Sequence, residues 1–201
     1  GPFIGASAKY ANGTSYRNTA KGSTWEGGLR MPAFVHWPGV VRPGTVAYTT
    51  VSTLDVLPSL LHLIGRTPRA QTIDGTLSLA AAIVSDSPEG PPTRHTFLPF
   101  YNEPVYGNAS KRIFAARAGR FKAHWITSPG LQCGLLAFCG PAPEAAHEHP
   151  LIYDVDADPA EAYPLAPADV PPTLHRELAE AKRSYERGLT PVSITPEWGY
   201  E

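Results

Sequence analysis

The chain predicts a loop-rich α/β protein in two parts, and three observations carry that prediction. Its 201 residues, 42% of them hydrophobic, suffice for one good core or two small ones. Its 22 prolines and 18 glycines imply more fixed turns than a helical bundle tolerates. The hydrophobic pattern also changes along the chain, from helical spacing between Ser52 and Val84 to strand-like runs between Thr96 and Thr127. Ser85 to Thr93, rich in Pro, Gly, Ser and Asp, separates the two regimes, so the parts are taken as 1–90 and 91–201.

Taken in order, Gly1 to Ala20 carries Phe3, Tyr10 and Tyr16 without periodicity among Gly, Ser, Asn and Thr, and reads as an ordered surface loop. Lys21 to Gly39 holds the densest chemistry: a lysine, the Gly27-Gly28 pair, and an apolar run from Ala33 to Trp37 bounded by Pro32 and Pro38. That run suits a strand buried on both faces, with His36 a hydrogen-bonded core histidine. On residue types alone, Glu26 and Arg30 pair with each other and Lys21 is solvated.

Leu54, Leu57, Leu60, Leu61 and Ile64 recur at three- and four-residue spacing, with Gly65 at the helix stop. Ser52 or Thr53 caps this helix, Asp55 suits its positive end, and Pro58 falls near the first turn, so Asp55 reads as structural. Ile73-Asp74-Gly75 is a turn before a short helix over Leu77 to Val84. Past the link, Thr96 to Tyr101 is β-like, and Ile113 to Ala118 and Phe121 to Thr127 flank Gly119-Arg120 as a hairpin does. Ser128 to Pro150 has no period and reads as a long excursion from the sheet. Leu151 to Val155 is a further strand, Asp156 to Pro159 a turn, and Thr173 to Gly188 an amphipathic helix with Leu174, Leu178, Ala181 and Tyr185 on one face. Glu177, Glu180, Lys182 and Arg183 make its solvated face, and the last thirteen residues show no clear element.

Charge and composition exclude several classes. Lys+Arg 17 against Asp+Glu 18 leaves a net charge of −1, so no basic field exists to hold nucleic acid. Leu54 to Ile64, interrupted by Asp55, Pro58 and His62, falls short of the ~20 apolar residues a membrane span requires. Gly1 rather than Met opens the chain and no leader pattern follows, so a fragment is expected. Cys133 and Cys139 are close enough for a local disulfide if the chain turns back, and two free thiols fit as well. Asn12-Gly13-Thr14 and Asn108-Ala109-Ser110 match the glycosylation acceptor pattern. Together these features favour a secreted or lysosomal compartment.

No self-sufficient active site is legible. There is no Gly-x-Ser-x-Gly elbow, no Walker loop and no Gly-x-Gly-x-x-Gly. His147-Glu148-His149 is a tight cluster of ligand types, but alternate residues on an extended chain point opposite ways, so a non-metal reading is preferred.

The run Lys21-Gly22-Ser23-Thr24-Trp25-Glu26-Gly27-Gly28-Leu29-Arg30-Met31-Pro32, closed by Trp37-Pro38-Gly39, resembles the sulfatases of the arylsulfatase A, galactosamine-6-sulfatase and steryl-sulfatase branch. Leu54-Asp55-Val56-Leu57-Pro58-Ser59-Leu60, Ile73-Asp74-Gly75, Phe121 to Trp125, and His147 to Asp154 with Asp158-Pro159 behind resemble further segments of the same branch. The resemblance implies an α/β, alkaline-phosphatase-like sulfatase fold. Here it would comprise the C-terminal part of the large mixed-sheet domain (1–90), then a small antiparallel sheet domain with a C-terminal helix (91–201).

It implies hydrolysis of sulfate esters, with a sulfated small molecule, glycan or glycolipid as substrate. Lys21 falls on the lysine that contacts the sulfate, where an ammonium offsets charge on the sulfate oxygens. Glu26 and Arg30 take scaffold roles, as an ion pair or through loop-fixing hydrogen bonds. His124 and His147 lie on matched segments and are the weaker candidates for substrate contact. Neither Cys133 nor Cys139 sits in the Cys-x-Pro-x-Arg pattern that yields the family's formylglycine nucleophile, and the calcium ligands also have no match here. Both cofactors are therefore expected from residues upstream of Gly1, with none bound by these 201 residues, which alone should be inactive. Thr19-Ala20 stand where some members place a disulfide cysteine, which favours a Cys133–Cys139 pairing. The rival reading is a non-catalytic module that binds sulfated glycans or a protein partner. A related phosphatase or phosphonate hydrolase fits the Glu-Gly-Gly-Leu-Arg-Met-Pro run less well.

Overall fold

The computed structural model describes residues 23–66, 75–84, 96–101, 112–128, 132–133, 139–140 and 144–188. Expectations that fall on 1–22, 67–74, 85–95, 102–111 and 189–201, including Lys21, Asn12 and Asn108, lie outside these residues.

The first described part is helical and turn-rich. A single helical turn, α1 (Glu26–Leu29), follows Trp25. The expected strand from Ala33 to Trp37 is a correction: the segment has no ladder partner among the described residues, and Phe34 is 94% exposed and His36 exposed. Strand pattern alone makes an extended chain; a strand needs a neighbour to satisfy its N–H and C=O groups. The Pro38-Gly39 stop is present as a turn, with Val40 N–H bonded to Trp37 C=O at 3.1 Å.

Ser52 caps the next helix as expected. Its side chain accepts from Leu54 N–H while the Asp55 carboxylate accepts from Ser52 N–H at 2.7 Å, a reciprocal capping box. A short 3-10 turn (Thr53–Asp55) runs into α2 (Val56–Leu63), and Gly65 follows. Asp55 is fully buried and also binds Thr76 through the backbone N–H at 2.6 Å and the hydroxyl at 2.9 Å, so its role is structural. The apolar side chains of this helix do not form its buried face: Leu54, Leu57, Leu60 and Ile64 are exposed, while Pro58 and Ser59 are buried against α3 (Ser78–Val84). Ser59 holds Ala80 N–H at 3.0 Å, and Gly75 passes so close to Leu54 that a Cβ there would lie 1.9 Å from its carbonyl oxygen.

The second part is a four-stranded antiparallel sheet in the order β1-β2-β3-β6, built from β1 (Leu98–Tyr101), β2 (Ile113–Ala118), β3 (Phe121–Thr127) and β6 (Ala145–Asp154). The β2–β3 hairpin forms as expected, with Gly119 at φ +59 in the two-residue turn. The expected excursion from Ser128 to Pro150 is corrected in part. It contains a small ladder, β4 (Gln132–Cys133) with β5 (Cys139–Gly140), and β6 begins at Ala145 rather than Leu151. The lack of a clean two-residue period there has a structural cause. Between His124 and Ile126 the β3–β6 register shifts, from a partner at Leu151 to one at Ala146, and Pro150, which lacks an N–H, falls inside the shift.

Alternation divides β3 between two faces. Phe121, Ala123 and Trp125 join Ile152, Val170, Leu174 and Leu178 in a cluster under α4 (Leu174–Gly188). Lys182 of α4 is only half-exposed, with its ammonium 5.7 Å from the Trp125 ring centroid, so it departs from the solvated face expected for it. The opposite sheet face, bearing Lys122, His124 and Tyr153, is covered by Trp25. β2, in the middle, has Ile113 to Ala116 buried on both faces.

Replacing Gly75 by Ala should destabilise the chain by about 1–3 kcal/mol, because the new methyl meets backbone rather than a yielding side chain. Urea unfolding of the two chains measures this, and a difference under about 0.5 kcal/mol would remove the close approach from the account.

Candidate functional site

Ser23 to Gly27 are five consecutive buried residues, an unusual run for a segment this polar. The indole supplies the apolar drive. Trp25 stacks on the His124 imidazole at 4.3 Å between centroids, meets Tyr153 edge-on at 5.7 Å, and its Nε1–H donates to the Ser128 carbonyl at 3.2 Å. Docking the indole brings Glu26 against the same face of β3.

There the charges close into a circuit. Lys122 Nζ donates to Glu26 Oε1 at 2.9 Å and lies 3.1 Å from Glu161 Oε1. Glu161 Oε1 also meets His124 Nε2 at 2.7 Å, and its Oε2 accepts from the Glu26 backbone N–H at 2.5 Å. Lys122 and His124 are fully buried, and Glu161 is 2% exposed. Arg117 adds a looser contact, 3.9 Å from Glu26 Oε2, and also pairs with Asp156 at 3.0 Å. Removing such ions from water costs several kcal/mol each, which only multiple short contacts offset. Glu161 has φ +49, a left-handed conformation uncommon for a residue with a side chain, held by its N–H bond to Asp158 C=O at 3.0 Å.

Burial pushes the His124 imidazole below its ordinary value, against the opposing hydrogen bond to Glu161, so the ring is neutral. For Glu161, burial pushes the carboxyl up, but the His124 hydrogen bond and the Lys122 charge outweigh it and the group lies below the usual carboxylate range. With Nε2 facing a carboxylate, the neutral ring carries its proton there. Nδ1 is buried without a hydrogen-bond partner.

The structure assembles some predicted residues and separates others. The Glu26 carboxylate meets Lys122 and Arg117 rather than Arg30. Arg30 is exposed and is tied to Glu26 through the backbone, its N–H donating to Glu26 C=O at 2.7 Å. The pairing expected from sequence fails because Glu26 is buried against Lys122, whereas Arg30 lies past the end of α1 in extended conformation and is exposed. His124 is enclosed beneath Trp25, a setting that suits support of the loop better than substrate contact. His147 is half-buried on β6 and bonds Thr127 Oγ1 through Nε2 at 2.9 Å, away from this circuit. The backbones of Cys133 and Cys139 stand directly opposite in the β4–β5 ladder; their side chains lie outside the described residues.

Lys122 and Glu161 escaped the sequence reading. Lysine in an otherwise apolar strand, two residues from a histidine, was the available signal for the first. Glu161 had none beyond its place after Asp158-Pro159. As to the calcium that the resemblance implies, no group of three or more His, Cys, Asp or Glu side chains among the described residues is arranged to hold a metal ion. Glu26 and Glu161 are engaged with Lys122 and His124, and Asp55 with the Ser52 and Thr76 N–H groups, so this set does not fit a cation.

Comparison with known proteins bears on the same segments. A family model described as the C-terminal region of aryl-sulfatase matches residues 93–197. The chain is 38% identical over 150 residues to arylsulfatase A of Homo sapiens, covering 72% of this chain and 28% of that protein. It is 34% identical over 172 residues to steryl-sulfatase of Mus musculus, covering 80% of this chain and 26% of that protein. The chain thus spans a little over a quarter of the length of these relatives. Among solved structures, the PsFucS1 sulfatase from Pseudoalteromonas sp. has a similar fold, with a TM-score of 0.61 at 19% identity over 86% of this chain and 33% of its own.

Lys122→Met should cost about 3–5 kcal/mol in urea unfolding, because it leaves two buried carboxylates without their cation; a loss under about 1 kcal/mol would show the circuit to be dispensable. Both shifted groups predict that acid destabilises the fold. The folded His124 resists protonation, so stability declines as pH falls below about 6.5, where the unfolded imidazole charges first. The lowered Glu161 value stabilises the fold above its ordinary 4.5, and that contribution is lost as pH falls through the folded value. The His124→Gln variant should lose the upper part of this decline and keep the lower part. Identical pH profiles for the two chains would contradict the assignment.

Proposed function

Because the chain belongs to the sulfatases, through a family model covering just over half of it, we propose that it is the C-terminal portion of an arylsulfatase-type sulfuric ester hydrolase. Residues 1–90 are taken to complete the large α/β domain and 91–201 to form the small antiparallel domain. The observation that carries this reading is the buried Glu26–Lys122–Glu161 circuit, which ties the segment directly after Lys21 to the family-matched sheet. Met31, Phe34, Leu57, Leu60 and Ile64 are exposed on one stretch of chain, which supports further protein packed against them in the complete enzyme.

In this reading Lys21 binds the sulfate of an aryl, steroid, glycolipid or aminosugar ester and offsets charge on its oxygens as the S–O bond breaks. Glu26 and Arg30 shape the loop that presents it. A formylglycine nucleophile and a calcium ion, implied by the resemblance, come from residues other than those described, and they supply attack on sulfur and charge neutralisation when present. The facing backbones of Cys133 and Cys139 support a disulfide between them, and together with the Asn12 and Asn108 acceptors they favour a lysosomal or extracellular enzyme.

The 201 residues alone should show no turnover of para-nitrophenyl sulfate, with or without calcium, since one lysine supplies a small part of the barrier reduction an enzyme needs. Calcium-dependent turnover by the isolated chain would refute that division of labour. In the full-length protein, Lys21→Ala should lower kcat by about 10²–10³-fold, the scale of losing one preorganised charge-stabilising group. An unchanged kcat would take Lys21 out of the site.

A further inference from the structure

We propose that Glu161 is a positioning residue for the Lys21 loop, acting from the small domain on a site to which it is not itself a ligand. The inference rests on the sulfatase reading of Lys21 and adds a residue to it.

Three features single out Glu161. Its two carboxylate oxygens serve different parts of the chain: Oε2 holds the backbone N–H of Glu26, and Oε1 holds Lys122 and His124 of β3. A core ion pair needs only the second set of contacts. The first fixes main chain, and main chain is what sets the direction of a neighbouring loop. Next, Glu161 adopts φ +49, a backbone conformation costly for a long side chain and easier for Asn or Gly. The backbone conformation is retained together with a side chain long enough to reach Glu26. Last, the residues it secures are the buried run Ser23 to Glu26, and in the chain only Gly22 separates Lys21 from that run.

The loop is therefore held from both sides. Trp25 stacks on His124 and meets Tyr153 edge-on, two rings that also touch each other, which sets its depth. Glu161 and Lys122 grip Glu26 by backbone and carboxylate, which sets its rotation and register. An ammonium binds sulfate oxygens through charge and short hydrogen bonds, so a displacement of about 1 Å in its loop is enough to cost up to about 10²-fold in rate. Glu161 supplies the restraint without touching the substrate.

The test uses the full-length protein with para-nitrophenyl sulfate as substrate and inorganic sulfate as competing anion, every rate being divided by the folded fraction. Glu161→Gln keeps the shape but removes the charge that holds Lys122. Glu161→Asn suits the φ +49 backbone yet retracts the side chain from Glu26, so it relieves strain while abolishing the grip. Leu178→Ala, under α4, destabilises the same sheet from its other face and serves as the control.

Both Glu161 variants should lose about 10–100-fold in kcat per folded molecule and weaken inhibition by inorganic sulfate, while Leu178→Ala changes neither. In a Lys21→Ala background the Glu161 substitutions should cause no further loss, since the effect runs through the lysine. If the losses merely track the folded fraction, or persist undiminished without Lys21, the positioning role is wrong and the sulfatase reading stands. If the unsubstituted protein neither hydrolyses the ester nor binds sulfate, the sulfatase reading fails and this proposal with it. Should Glu161→Gln fail to fold, the Asn variant decides by the same readings.

Discussion

Lys122 is a cation with no access to water, and the arrangement around it follows from that constraint. An ammonium in such a place must be surrounded by acceptors or it will not stay charged and folded. Glu26 reaches it from the first position of α1 and Glu161 from the turn after β6, so two segments distant in sequence meet at one nitrogen. Once both carboxylates are there, each needs further donors. Glu161 takes them from His124 Nε2–H and the Glu26 backbone N–H, and Arg117 stands 3.9 Å from the Glu26 carboxylate. The Phe100 ring, 5.2 Å from Nζ, completes the enclosure.

This circuit gives the small sheet two unlike faces with unlike duties. The face toward α4 is held by aliphatic and aromatic packing, tolerant of shape and indifferent to direction. The face toward Trp25 is held by directional contacts between charged and polar groups, which fix a geometry as well as a contact. The segment from Ser23 to Glu26 has the second kind of support. Packing alone would bury the loop without determining how it is turned.

Much of the fold was legible because it is local. The hairpin at Gly119-Arg120, the Ser52 cap, the helix after it and the helix from Leu174 all rest on interactions within a few residues, which spacing and turn chemistry report. Expectations failed where the decisive partner was remote. Ala33 to Trp37 has the composition of a buried strand, but composition cannot supply a neighbouring strand, and the segment lies open. The exposed leucines of the helix after Ser52 make the same point: an apolar stripe states that something should cover it and leaves the covering unspecified. In β6 the register shift around Pro150 hid the first six residues, Ala145 to Pro150, of a ten-residue strand from a search for strict alternation.

Family membership was legible in the sequence alone, because a motif such as Glu-Gly-Gly-Leu-Arg-Met-Pro keeps its identity whatever it packs against. The Lys122-Ala123-His124 alternation is present in the sequence, but nothing local says which of its two faces is covered by polar partners. Only the tertiary structure decided that this polar face is interior, since that depends on Trp25 and Glu161 arriving from far along the chain to cover it and neutralise it. Charge in a strand is a local fact. Whether that charge faces water or a buried carboxylate is settled by long-range contact, where desolvation and pairing are weighed together.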